Sequence, residues 1–181
     1  MKKYATLLFT FLFIFMNAVV RSQEKKAGPV IKEYGKVFKI ENTDIQIDTS
    51  KTYKAVFDIM QSPESHEKVN PSIETAARFL NMHTQNGVPQ NQLKVALVVH
   101  NKASKDLMND EAYRERYSVT NPNTGLIRAL IAADVQIVFC GQSSQARGIP
   151  KSNLIDGVQL SLSAMTALIN LQDENYKLIK F

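Results

Sequence analysis

The segment Val135-Gln136-Ile137-Val138-Phe139-Cys140 is a nearly unbroken apolar run, rich in β-branched and aromatic residues, and Gly141-Gln142-Ser143-Ser144 ends it in turn chemistry. A run of this length that does not alternate with polar residues suits a parallel strand covered by helices on both faces. Leu93–Val99 has the same character, and Tyr53–Met60 reads as a further strand closed by Gln61-Ser62-Pro63. Between the strands, apolar residues recur at helical spacing. Asn70 is an N-cap before Pro71, and Ile73, Ala76, Ala77 and Leu80 make one face of a helix stopped by Gly87-Val88-Pro89. Residues 103–117 have helical tendency, with Leu107 and Tyr113 turned inward. Asn123 or Thr124 caps a helix carrying Leu126, Ile127, Leu130 and Ile131.

Beyond Cys140, residues 142–147 make a short helix before Gly148-Ile149-Pro150. A brief fourth strand falls around Val158. Ser161 or Ser163 then caps a helix with Met165, Leu168 and Leu171, and Tyr176–Phe181 closes as a fifth strand. Strands alternating with helices argue βαβ units, right-handed crossovers and a mainly parallel sheet of these five strands. In such sheets ligands and reactive groups collect where strands end. The strand ends deliver Cys140 and Gly141 from one loop and His100 and Asn101 from another.

The first residues stand apart from this core. Lys2 and Lys3 precede the apolar run Leu7–Met16, and small or polar residues follow at Asn17, Ala18 and Ser22. This is the layout of a secretory signal peptide over residues 1–22. The run is short for a membrane span, which needs roughly 20 residues, so after cleavage no span is expected; uncleaved, it is an anchor. The reading is of an exported protein, periplasmic or secreted. Cleavage after Ser22 removes three of 22 basic residues and none of 17 acidic ones, lowering the net charge from +5 to +2. So small a charge leaves no electrostatic footprint for nucleic acid. Residues 23–52 read as an extension, with imperfect alternation broken at Gly35, fitting edge strands or a loop wrapped on the domain.

Cys140 is the single cysteine. One thiol forms no internal disulfide, and in an exported protein it is either buried packing or a reactive group. A reactive thiol needs its thiolate, which helix N-termini and cations favour. The Gly141 and Gln142 backbone N–H groups, at the start of a helix with Ser143, fit that role, and Arg147 is near in sequence. If consecutive strands pair, His100 stands beside Cys140 as a candidate base; a histidine satisfied by loop backbone fits as well. Asp58 reaches the same crest or caps a loop. His66 and His83 lack partners at metal-ligand spacing, and no phosphate-loop, dinucleotide or serine-hydrolase motif occurs, so no metal or cofactor is expected. Glu111, Arg114, Glu115 and Arg116 read as a solvated helix face, and Met60, Met82, Met108 and Met165 as core filler.

Four stretches carry a family resemblance: Ala55-Val56-Phe57-Asp58-Ile59, Val98-Val99-His100-Asn101, Ile137–Ser143, and Ala167–Tyr176. In order and spacing, residues 53–181 resemble the DsrE/DsrF-like (YchN-like) family. The resemblance implies a three-layer α/β/α domain, homo-oligomers (trimers or hexamers), and a sulfur-carrier role in which a cysteine near a strand end holds a persulfide. Cys140 resembles that cysteine. Two functions follow as expectations. One is an exported thiol, persulfide or redox protein acting through Cys140 and His100, with an unknown sulfur donor. The other is a non-enzymatic oligomeric module that binds a small ligand through Asn101, Gly141, Gln142 and Ser143, with Cys140 structural.

Overall fold

The computed structural model describes residues 24–180. The signal peptide expected over residues 1–22 lies outside the described residues. The domain alternates strands and helices: β1 (Tyr53–Ile59), α1 (Pro71–Gln85), β2 (Leu93–Val99), α2 (Asp110–Tyr117), α3 (Thr124–Ala132), β3 (Gln136–Cys140), α4 (Gly141–Arg147), β4 (Gln159–Ser161), α5 (Ala164–Asp173) and β5 (Lys177–Ile179). The five strands are all parallel, in the order β4-β3-β2-β1-β5.

The near-continuous apolar runs follow from covering both faces. Side chains alternate along a strand, so Ala55, Phe57, Val95, Leu97, Val99, Ile137 and Phe139 enter one core with Ile73, Ala76, Ala77 and Leu80 of α1 and Leu126, Ile127 and Leu130 of α3. The intervening Val56, Ala96, Val98, Val138 and Cys140 pack on Ala164, Ala167 and Leu171 of α5. Asn70 caps α1 as expected, its side chain accepting the Ser72 N–H at 2.9 Å.

Three local expectations are corrected. Residues 103–117 are not one helix: Asn101–Leu107 forms a 3-10 turn, Met108 bridges to Leu154, and α2 starts afresh. The restart is local chemistry, since the Asn109 side chain accepts the Ala112 N–H at 2.9 Å and Asp110 and Glu111 suit a helix N-terminus. The fourth strand pairs only from Gln159, because Gly157, at φ +92°, turns the chain and Val158 is drawn into the core. Among the methionines, Met108 is core, but Met82 and Met165 are 40% and 73% exposed.

The segment before β1 is a strap rather than an edge strand. Lys26 and Val37 form an isolated antiparallel bridge, and Ile31 is buried on the domain. Asn81 of α1 fastens it: its Oδ1 accepts the Ile31 N–H at 2.9 Å, and its Nδ2 donates to the carbonyls of Ile31, Tyr34 and Gly35.

Candidate functional site

The register of the sheet assembles the strand-end residues. Val98 pairs with both Asp58 and Val138, so Asp58, His100 and Cys140 share the α5 side of the sheet at its C-terminal crest. Cys140 ends β3 as the N-cap residue of α4 and is 5% exposed. Gly141 brings the next loop against it, since a Cβ there would lie 2.5 Å from the Ser161 carbonyl oxygen. That closeness carries the start of α5 to the sulfur. Burial pushes the Cys140 thiol up, but the N–H and hydroxyl of Ser143, with the N–H groups of Ala164 and Gln142, outweigh it and hold the thiol below its ordinary value. Gln142 and Ser143 lie in the first turn of α4, and Ala164 is the first residue of α5. The positive ends of two helices therefore meet at one sulfur.

The Ser143 hydroxyl is aligned from its other side. Its Oγ accepts the Asn101 N–H at 3.1 Å, which leaves its proton to donate to sulfur. Asn101 adopts φ 54°, a left-handed conformation that asparagine tolerates, and its Oδ1 accepts from Arg147 Nη2 at 2.6 Å. Gln142 is exposed, its Nε2 donating to the Leu162 carbonyl at 3.4 Å. A shallow cavity of about 360 Å³ opens beside these groups, lined by His100, Asn101, Gln142, Ser143, Ala146 and Arg147.

His100 is placed at the crest, but its imidazole is engaged elsewhere. Nε2 lies 2.7 Å from Asp58 Oδ1, and Asp58 Oδ2 is 3.2 Å from Lys180 Nζ. The structure thus brings Cys140, Gln142, Ser143 and Asn101 into one bonded set and His100, Asp58 and Lys180 into a second beside it. Among the described residues no hydrogen bond joins His100 to Cys140. Sequence reasoning missed Lys180 and Ala164. Lys180 is one residue past a short edge strand, and Ala164 offers only its backbone, so neither carries a side-chain signal.

No group of three or more His, Cys, Asp or Glu residues suited to a metal ion occurs among the described residues. A cavity of about 820 Å³ lies between the strap and Gln85, at the opposite end of the sheet from these groups. It has no part in the strand-end chemistry.

A parallel sheet covered on both faces, with a thiol held at a strand end between helix N-termini, defines an α/β protein with a strand-end cysteine site. Residues 54–181 match the DsrE/DsrF-like family, and the chain belongs to it. Two solved structures share the fold. One is a protein of unknown function, MTH1491, from Methanobacterium thermoautotrophicum, with 19% identity over 71% of this chain and 99% of that one, at a TM-score of 0.55. The other is the ychN protein from E. coli, with 20% identity over 71% of this chain and 99% of its own, at a TM-score of 0.52. No curated protein matches the chain.

Proposed function

We propose that this protein is an exported sulfur carrier of the DsrE family that holds a persulfide on Cys140. Family membership supports a sulfur-relay role in general. The observation that carries the finer reading is the meeting of N–H donors from α4 and α5, with the Ser143 hydroxyl, at one sulfur. Those donors favour the thiolate, which is the nucleophile in sulfur transfer. The thiolate attacks the outer sulfur of a donor persulfide R–S–SH; a new S–S bond forms on Cys140, the donor's S–S bond breaks, and R–S⁻ leaves. The same donors then stabilise the terminal sulfur of the Cys140 persulfide anion. His100, oriented by Asp58, acts as proton acceptor or donor for the incoming and outgoing groups. The signal-peptide pattern of residues 1–22 supports export, and the exposed Met165 and Ile169 of α5 support a homo-oligomer, for which the family resemblance implies a trimer or hexamer.

A second reading, a binding module with Cys140 as packing, is favoured by the low exposure of the sulfur and by its absence from the lining of the adjacent cavity. Intact mass of the mature protein from its native envelope fraction, with and without reductant, separates the two. The carrier reading expects a reductant-sensitive gain of one sulfur atom that Cys140→Ser abolishes. A free thiol that resists alkylation in the folded protein overturns it.

A further inference from the structure

We propose that a second cleft at the sheet crest, on the α2 side, binds a small molecule carrying an oxyanion group such as phosphate or sulfate. The cleft, of about 540 Å³, is walled by three separate strand-end segments: the loop after β1 (Ser62, Glu64, His66), the 3-10 turn after β2 (Lys102, Lys105) and the C-terminal end of α4 (Arg147). Arg116 and Tyr117 of α2 close it. Its size suits a small organic ligand rather than a water cluster.

The charge in this cleft is unbalanced by design of the contacts. Lys105 is matched, since its Nζ lies 2.9 Å from the buried Asp106 carboxylate. Lys102, Arg116 and Arg147 have no carboxylate partner among the described residues, and Glu64 is the one acid on the lining. Both guanidiniums are nevertheless held in place, by neutral acceptors. Arg116 Nη1 and Nη2 donate to the carbonyls of Arg147 and Gly148, each at 3.0 Å, and Arg147 Nη2 donates to Asn101 Oδ1 at 2.6 Å. Neutral anchors orient a guanidinium without cancelling its charge, and each has further N–H donors to offer. Pre-positioned Arg donors of this kind suit the geometry of an oxyanion.

His66 lies on the lining of the cleft. It stacks on Tyr117 with ring centroids 4.1 Å apart, and its carbonyl accepts the Tyr113 hydroxyl at 2.9 Å. Its Nδ1 is buried with no hydrogen-bond partner among the described residues. That atom is closed to solvent, so a ligand in the cleft would meet the rest of the ring, and His66 serves as a reporter of occupancy. The cleft meets the thiol-side cavity only at Ala146 and Arg147, so the inference stands without any role for Cys140.

The test is a titration of the full mature chain with sodium phosphate and with sodium sulfate at constant ionic strength. It is followed by the melting temperature and by side-chain nitrogen resonances of the histidines, with sodium chloride as control. A saturable rise in melting temperature that chloride does not reproduce, accompanied by a shift of the His66 resonance, is expected. The double variant Lys102→Gln/Arg147→Gln should weaken it by roughly tenfold or more, the loss of charge-assisted hydrogen bonds. Lys102 is exposed and its side chain makes no hydrogen bond or ion pair among the described residues, so Lys102→Gln alone remains a folded control that must also bind more weakly. Cys140→Ser should bind as the parent does, whatever becomes of the sulfur-carrier reading. A response equal to that of chloride, or full affinity in the double variant, overturns the proposal.

Discussion

A Cβ on Gly141 would meet the Ser161 carbonyl oxygen at 2.5 Å and that of Leu162 at 3.1 Å, both backbone atoms that cannot swing aside. Gly141→Ala must therefore push the α4 and α5 starts apart. The expected cost is about 1–3 kcal/mol, the range for overpacking, measured by urea unfolding. The same displacement draws the Ala164 N–H away from the sulfur. Ser143→Ala isolates the second contribution, since it removes the hydroxyl donor while leaving the backbone N–H. The thiolate is the form those donors favour, so in the native protein it is populated at a lower pH than for an ordinary cysteine. Losing a donor moves its titration upward. Alkylation of Cys140 followed against pH should show a midpoint shifted to higher pH in Ser143→Ala, with slower labelling at neutral pH. An unchanged midpoint would mean that the hydroxyl does not reach the sulfur.

The loops at the crest are tied together by one buried carboxylate. Asp106, within the 3-10 turn, accepts from Ser62 Oγ at 3.0 Å, Lys105 Nζ at 2.9 Å and Asn70 Nδ2 at 2.7 Å, and Asn123 Nδ2 approaches at 3.3 Å. It thereby ties the loop after β1, the caps of α1 and α3, and the turn after β2. Asp106→Ala leaves these donors and a largely buried lysine without their partner, and should cost about 3–5 kcal/mol in chemical denaturation; Asp106→Asn should recover part of the loss. This network also marks where sequence reading stops. β2 and α1 were legible to their ends, because apolar periodicity, Asn70 and Pro71 are local signals. The pairing of His100 with Asp58 was not, because Asp58 sits within a strand whose register only the fold defines. The break between Leu107 and Asp110 was hidden for a related reason. A buried aspartate with four donors is a tertiary fact, and only the Asn109-Asp110-Glu111 cap hinted at a second helix start.

At the scale of the whole molecule the two faces of the sheet are unequally covered. Helices α1 and α3 shelter one face, while among the described residues α5 alone packs on the other. At that thinner side β4, an edge strand, leads into α5, and Leu162, Met165 and Ile169 follow one another at helical spacing with exposures of 73%, 73% and 57%. Leu160 on β4 is 43% exposed. Isolated surface leucines are ordinary, but a ladder beside an open strand edge is the kind of surface that another chain covers. A second copy of this domain is the occupant that family resemblance suggests, and such an interface would also seal the approach to Leu162, whose carbonyl neighbours the thiol loop. Met165→Glu/Ile169→Glu places two carboxylates on the ladder without touching the buried Ala164, Ala167 and Leu171. Light scattering coupled to size exclusion should find the parent protein as a trimer or hexamer and the double variant as a monomer of unchanged melting cooperativity. A parent that is already monomeric at micromolar concentration would remove the oligomer, and with it any part for a neighbouring copy in enclosing Cys140.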